Sequence, residues 1–301
     1  IAKDIFLESF ADFEIKEVYK KSISLVSFIK LRKIFANEYC LLFCEKNIFI
    51  KFLLNFKFFK IPIFVDHLLD LSRSKQEIEK SFARSIRYKI KKIKSFNYSY
   101  KIETKNQDLK NIYQKMYLKM MLFRHKAKPE SFKNFKKYFK DGCLTVYLND
   151  LAVGYASLSI SNASLIMRRT GILDANEKLY EKNVSIAIYY FLIKHAIDSG
   201  MNFLDLGYSV PFLNNGVLIY KNRWGAKLFY DKQAPLIYLK VGKINKQMKE
   251  YFFGKPIIYL YKNKLGALVF GGEGDKFHIK KNNEIVDITY FRGIDFLKRL
   301  R

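Results

Sequence analysis

Apolar positions along the chain follow two periods. Between Ser74 and Lys94, Ile78, Phe82, Ile86 and Ile90 recur one helical turn apart, which predicts a helix with a single core-facing stripe. Ser74 begins it. Glu77 completes a Ser-x-x-Glu capping box, in which hydroxyl and carboxylate satisfy each other's free amides. Further on, short runs rich in β-branched and aromatic residues predict strands. Leu144–Leu148 and Ala152–Ile160 flank Asn149-Asp150, and Ser164–Thr170 follows across Ser161-Asn162, so an antiparallel meander with tight turns is expected. A strand around Tyr98–Glu103 and helices over about Leu109–His125 and Glu130–Lys140 precede it. After it, Val184–Ser199 predicts a helix closed by Gly200 in the left-handed conformation, leading into a strand over Phe203–Leu206.

The flanks are less regular. Ser24–Ile29, Tyr39–Phe43 and Asn47–Phe52 are strand-like runs separated by charges, and Pro62 interrupts Ile61–Asp66. Beyond the central region come a strand over Ala234–Val241, a helix over about Ile244–Phe252 and a weakly patterned tail. These elements place the chain in the α/β (α+β) class, with mixed, mainly antiparallel sheets flanked by helices.

Composition supports a folded chain. Half of the 301 residues are hydrophobic, with 28 Phe and 21 Tyr, so core material is ample and disorder is not expected. The net charge of +27 changes the picture more. Such a field attracts polyanions, whether nucleic acid, a nucleotide-linked donor or an anionic membrane, although codon bias toward lysine accounts for part of it. Along the Ser74 helix Arg84, Arg87, Lys91 and Lys94 share one face, where like charges repel unless an anion neutralises them; a solvated basic face is the plainer alternative.

Cys40, Cys44 and Cys143 are an odd number without a second pair to complete a zinc site, and reduced thiols in the cytoplasm are expected. No metal is expected, and no Gly-x-Ser-x-Gly elbow or Walker-type loop is present. Ile48–Val65 is interrupted by Lys51, Lys57 and Lys60, too polar for a membrane span, which leaves peripheral contact at the inner membrane face open. The chain opens at Ile1, not methionine, without a signal-peptide layout, and leaves room for an upstream segment.

Candidate chemistry concentrates where the strand Phe203–Leu206 runs into Gly207-Tyr208-Ser209, followed by Tyr220-Lys221-Asn222-Arg223-Trp224-Gly225. Strand-end loops expose backbone amides on a fixed frame, and there α/β folds place ligands. Gly207 and Ser209 fit a close backbone approach to a ligand, or an ordinary turn. Asp205 can orient Lys221 or an amine, assist proton removal, or simply cap the turn. Trp224 and Gly225 suit packing and a turn.

Residues about 63–240, about 60% of the chain, resemble the FemAB-like, or BioF2-like, branch of the GNAT acyltransferase superfamily. Three landmarks carry the resemblance: a basic helix around Phe82–Lys94, the element Phe203-Leu204-Asp205-Leu206-Gly207-Tyr208-Ser209, and the segment Tyr220-Lys221-Asn222-Arg223-Trp224-Gly225. The resemblance implies two GNAT-like halves: a degenerate one over residues 1–95 and a catalytic one over 96–245, with 246–301 as an extension. It implies transfer of an acyl or aminoacyl group from an activated donor to an amine, in cell-envelope or surface-glycan synthesis. Lys221 would stabilise the oxyanion, and Asp205 would lie near the acceptor. Arg84, Arg87, Lys91, Gly207, Ser209 and Tyr220 would bind substrate, as would Arg168, which with Arg169 is less securely placed. No tightly bound cofactor is implied. The donor is a co-substrate, aminoacyl-tRNA or acyl-CoA, and Asn176–Val184 lacks the glycines with which CoA-dependent members hold the pyrophosphate. The rivals are a non-catalytic nucleic-acid-binding protein on a GNAT scaffold and a membrane-surface protein.

Overall fold

The computed structural model describes residues 41–44, 59–104, 109–241, 255–270, 278–281, 284–287 and 296–300. The strands expected over Ser24–Ile29 and Asn47–Phe52 and the helix over Ile244–Phe252 lie outside them, as does Cys40. The chain divides into two compact units, one of residues 1–66, 209–220 and 228–301 so far as described, the other of residues 67–208 and 221–227.

In the first unit, described strands pair in the spatial order Leu41–Cys44, Leu236–Val241, Phe59–Pro62, Ile257–Tyr261, Lys264–Phe270 and Phe296–Leu300. All pairs are antiparallel except the last, which is parallel. Val65, Leu213, Leu218, Leu228, Ile258 and Ala267 are among the residues of its core.

The second unit carries the candidate chemistry. Its sheet is built from β1 (Val65–Asp70, the first two residues counted with the other unit), β2 (Tyr98–Glu103), β3 (Gly142–Leu148), β4 (Leu151–Ser161), β5 (Ser164–Ile166), β6 (Thr170–Ile172) and β7 (Phe203–Ser209). The order is β1-β7-β5-β4-β3-β2, with β6 also paired to β4 and the short edge strand Lys227–Phe229 beside β1. Pairs β2–β3, β3–β4 and β4–β5 are antiparallel, and β5–β7 is parallel. This is the expected meander, helix and parallel strand. Its tight turns follow from residue chemistry: Asn149 (φ 48°) and Asp150 (φ 64°) are both left-handed, as are Asn162 (φ 46°) and Ala163 (φ 56°). Two successive left-handed residues make the hairpin turn whose twist matches that of the strands.

The helices are α1 (Lys75–Ser81), α2 (Arg84–Ile93), α3 (Leu109–Ile112, continued by wider π turns over Tyr113–Leu118 and Met120–Arg124), α4 (Phe132–Phe135), α5 (Glu177–Glu181), α6 (Val184–Asp198) and α7 (Gly216–Asn222). The capping box at Ser74 forms in full: its hydroxyl accepts from the Glu77 amide, and its own amide donates to the Glu77 carboxylate at 3.0 Å. α6 ends as expected, with Gly200 at φ 68° and the Met201 amide bonded back to Ala196 O at 3.0 Å.

Three expectations need correction. The single helix expected from Ser74 is two, because Phe82 and Ala83 are extended. The Ala83 amide donates to Arg223 O at 2.8 Å instead of to its own helix, and Phe82 packs edge-on against Trp224. Ile78, Phe82, Ile86 and Ile90 are nevertheless all buried, so the apolar stripe survives the break. The helix expected over Glu130–Lys140 shrinks to Phe132–Phe135, with a 3₁₀ turn over Lys136–Tyr138. Finally, the strand expected over Ser164–Thr170 is interrupted at Met167-Arg168-Arg169, so that β5 and β6 are separate.

Candidate active site

The interruption between β5 and β6 is held by one side chain. Ser157, buried on β4, accepts hydrogen bonds through its hydroxyl oxygen from the amides of Arg168 (3.2 Å) and Arg169 (2.9 Å), while its own amide donates to Arg169 O (2.8 Å). A hydroxyl with two lone pairs takes the place of two strand carbonyls. The two arginines then serve different groups. Arg168 Nη1 pairs with Asp205 Oδ2 at 2.8 Å. Arg169 pairs with Glu130, donates to the Tyr138 hydroxyl at 2.9 Å and lies against the Tyr138 ring.

Asp205 stands on β7, next to β5, and both its oxygens are engaged. Oδ2 meets Arg168, and Oδ1 accepts from the Gly207 amide at 2.7 Å. Of the roles the sequence leaves open to Asp205, capping the turn is one its Oδ1 fills. Gly207 has φ 77°, and a Cβ there would sit 2.8 Å from Met167 O, so only glycine fits. The same point lies 3.6 Å from Lys221 Nζ and 3.8 Å from Arg168 Nη1. Two cations therefore converge on one stretch of bare backbone.

Lys221 reaches that point from the end of α7. It is only 5% exposed, and Nζ donates to Tyr208 O at 2.9 Å. The chain beyond it is fixed by packing. Trp224 is fully buried, stacked on Tyr189 and edge-on to Phe82, and a Cβ on Gly225 (φ 78°) would come within 2.2 Å of the Ser81 hydroxyl. Trp224 and Gly225 are thus packing and turn elements, as their types suggest.

His67 is the neighbour that the sequence did not single out. It is fully buried on β1, and burial, assisted by the charge of Lys221, pushes its pKa well below the ordinary value. The imidazole beside the lysine is therefore neutral near pH 7. The inward alternation of Val65, His67 and Leu69 along β1 is the signal that points to it. Ser157, Glu130 and Tyr138 are likewise absent from the sequence-based candidates, and neither a motif nor a spacing marks them.

Asp205, Arg168, Gly207 and Lys221 are thus brought together. Arg84, Arg87 and Lys91 are exposed on α2 and do not join that group; Arg87 Nη1 donates to Lys80 O at 3.0 Å. Ser209 and Tyr220 belong to the other unit, where Ser209 is buried and Tyr220 half-buried. His125 and His195 form no metal-type cluster, and among the described residues no group of three or more His, Cys, Asp and Glu is placed to hold a metal. Among the described residues no helix is long and apolar enough to cross a membrane. Cys143 is buried as a free thiol. The glycine-free stretch before α6 turns through left-handed Asp174, Ala175 and Asn183.

No family model and no curated protein matches the chain. Among solved structures it is similar to FemX, with 12% identity and a TM-score of 0.46 over 62% of this chain and 63% of that one. It is also similar to L-PGS from Bacillus licheniformis, with 9% identity and a TM-score of 0.43 over 75% and 74%. A tandem GNAT protein from the clavulanic acid biosynthesis pathway matches at 13% identity and a TM-score of 0.34 over 62% and 57%. The chain spans less than two thirds of the FemX chain's length. At such identities the chemistry has to be read from the side chains of this protein itself.

Proposed function

We propose that the protein is an N-acyltransferase that moves an acyl or aminoacyl group from an activated ester or thioester to an amine. The observation that carries this reading is the fixed Lys221 ammonium, buried and hydrogen-bonded beside the bare backbone of Gly207, with Arg168 alongside. Aminolysis forms a C–N bond while the carbonyl π pair moves onto oxygen. Collapse of that tetrahedral intermediate breaks the C–O or C–S bond, and the proton lost by nitrogen ends on the departing hydroxyl or thiol. A cation held in place before the reaction stabilises the oxyanion without reorganising. Asp205 acts as a positioning residue through Arg168 and Gly207, since both of its oxygens are engaged. Neutral His67 adds no competing charge at that wall.

A donor rich in phosphate, aminoacyl-tRNA or acyl-CoA, suits the net charge of +27. A role in cell-envelope or surface-glycan synthesis, in the cytoplasm, is the setting we propose. Purified protein incubated with aminoacyl-tRNA and acyl-CoA pools and a broad amine panel, followed by mass spectrometry, tests the reading. Consumption of one donor with formation of an amide supports it, and survival of both donors against every amine refutes it.

A further inference from the structure

Residues 109–140 of the second unit form a strongly basic lobe. They hold ten lysines and arginines and a single carboxylate, Glu130, which is itself paired with Arg169. One side of this lobe is ordinary core: Ile112, Met116, Tyr117 and Phe135 are buried with Cys143 and Tyr155. Its far end is not. The wider turns that begin at Tyr113 continue over Met120–Arg124, closed by the His125 amide on Met120 O at 3.0 Å and the Ala127 amide on Met121 O at 2.9 Å. A wider turn rotates the residues after Met120 off the buried stripe. Leu122 and Phe123 consequently stand 51% and 65% exposed, side by side. Lys119 lies over the Phe123 ring at 5.3 Å, and Arg124, Lys126 and Lys128 follow, the last three exposed.

We propose that this tip is a docking surface for an anionic lipid bilayer. Leu122 and Phe123 enter the boundary between headgroups and acyl chains, and the surrounding cations pair with lipid phosphates. Two adjacent large apolar side chains ringed by cations are the pattern of an interfacial anchor, in which apolar burial and attraction to anionic lipid add. A nucleic-acid groove would offer stacking rings along its cations. Here one of the two protruding side chains is leucine, which offers no ring to a base. The surface involves none of the residues assigned to acyl transfer, so it stands or falls separately from that activity.

The test is co-sedimentation of the full chain with vesicles of phosphatidylcholine alone or mixed with phosphatidylglycerol. It compares the natural protein with Leu122→Ser/Phe123→Ser, whose exposed positions leave the core intact. Binding is expected only to the mixed vesicles, weakened roughly tenfold or more in the double variant by the lost apolar insertion. In Phe123→Trp, the added indole emission should shift to the blue on mixed vesicles and not on neutral ones. Equal vesicle binding by the double variant, no binding to mixed vesicles, or emission unmoved by lipid but quenched by single-stranded RNA would each overturn the proposal.

Discussion

Lys221 Nζ donates to Tyr208 O at 2.9 Å, so a lysine on a seven-residue helix is tied to the turn that ends β7. That bond fixes the direction of the ammonium, and burial strengthens its field, since a charge in a water-poor site is screened less. Everything else in the group serves the turn: Asp205 caps it, Arg168 holds Asp205, and Gly207 keeps side chains out of it.

Gly207→Ala should therefore be costly on two counts. The left-handed φ of 77° alone penalises an L-residue by about 1–2 kcal/mol, and the added Cβ would meet Met167 O at 2.8 Å. Urea denaturation should show the lower midpoint. An unchanged midpoint would mean that the turn is less constrained than described.

Ser157→Ala strips one oxygen from two amides, those of Arg168 and Arg169. Leaving buried donors unsatisfied should destabilise the protein by about 2 kcal/mol or more, and should loosen both arginines together. Denaturation and amide hydrogen exchange at residues 168 and 169 measure the two effects.

His67 gives a pH signature. Its pKa is lowered in the folded state, so the unfolded chain takes up the proton first as pH falls below the ordinary value of 6.5. Stability is then complete above that value and lost below it, by up to about 1.4 kcal/mol per pH unit from this one group. In His67→Gln the slope of unfolding free energy between neutral and mildly acidic pH should flatten accordingly. Lys221→Met should flatten it in part, because the lysine's charge helps to depress the histidine. Parallel profiles for all three proteins would contradict the contact.

Much of the frame was legible because its signals are local. A Ser-x-x-Glu box, an Asn-Asp turn and a glycine after a helix need only their own neighbours to act, and all three form where expected. The features that build the site depend on distant partners. Ala83 breaks the expected helix because Arg223 O takes its amide, and Arg168 and Arg169 leave the strand because Ser157 holds them. Asp205 and Lys221 were marked by their place at a strand end and in a lysine segment, but the partner of Asp205 on the far side of the turn, Arg168, could not be read from either. The burial of Lys221 was equally hidden, since a lysine late in a short helix is ordinarily solvated.

The measurement that tests the central claim most directly is transfer by Lys221→Met, with donor binding followed on the same protein. The unbranched apolar side chain keeps the volume and removes the ammonium. Loss of a fixed donor to an oxyanion should lower turnover by about 10²–10³-fold, with donor affinity changed only a few-fold and the fold retained by circular dichroism. Transfer at the natural rate by a folded Lys221→Met protein would contradict the account.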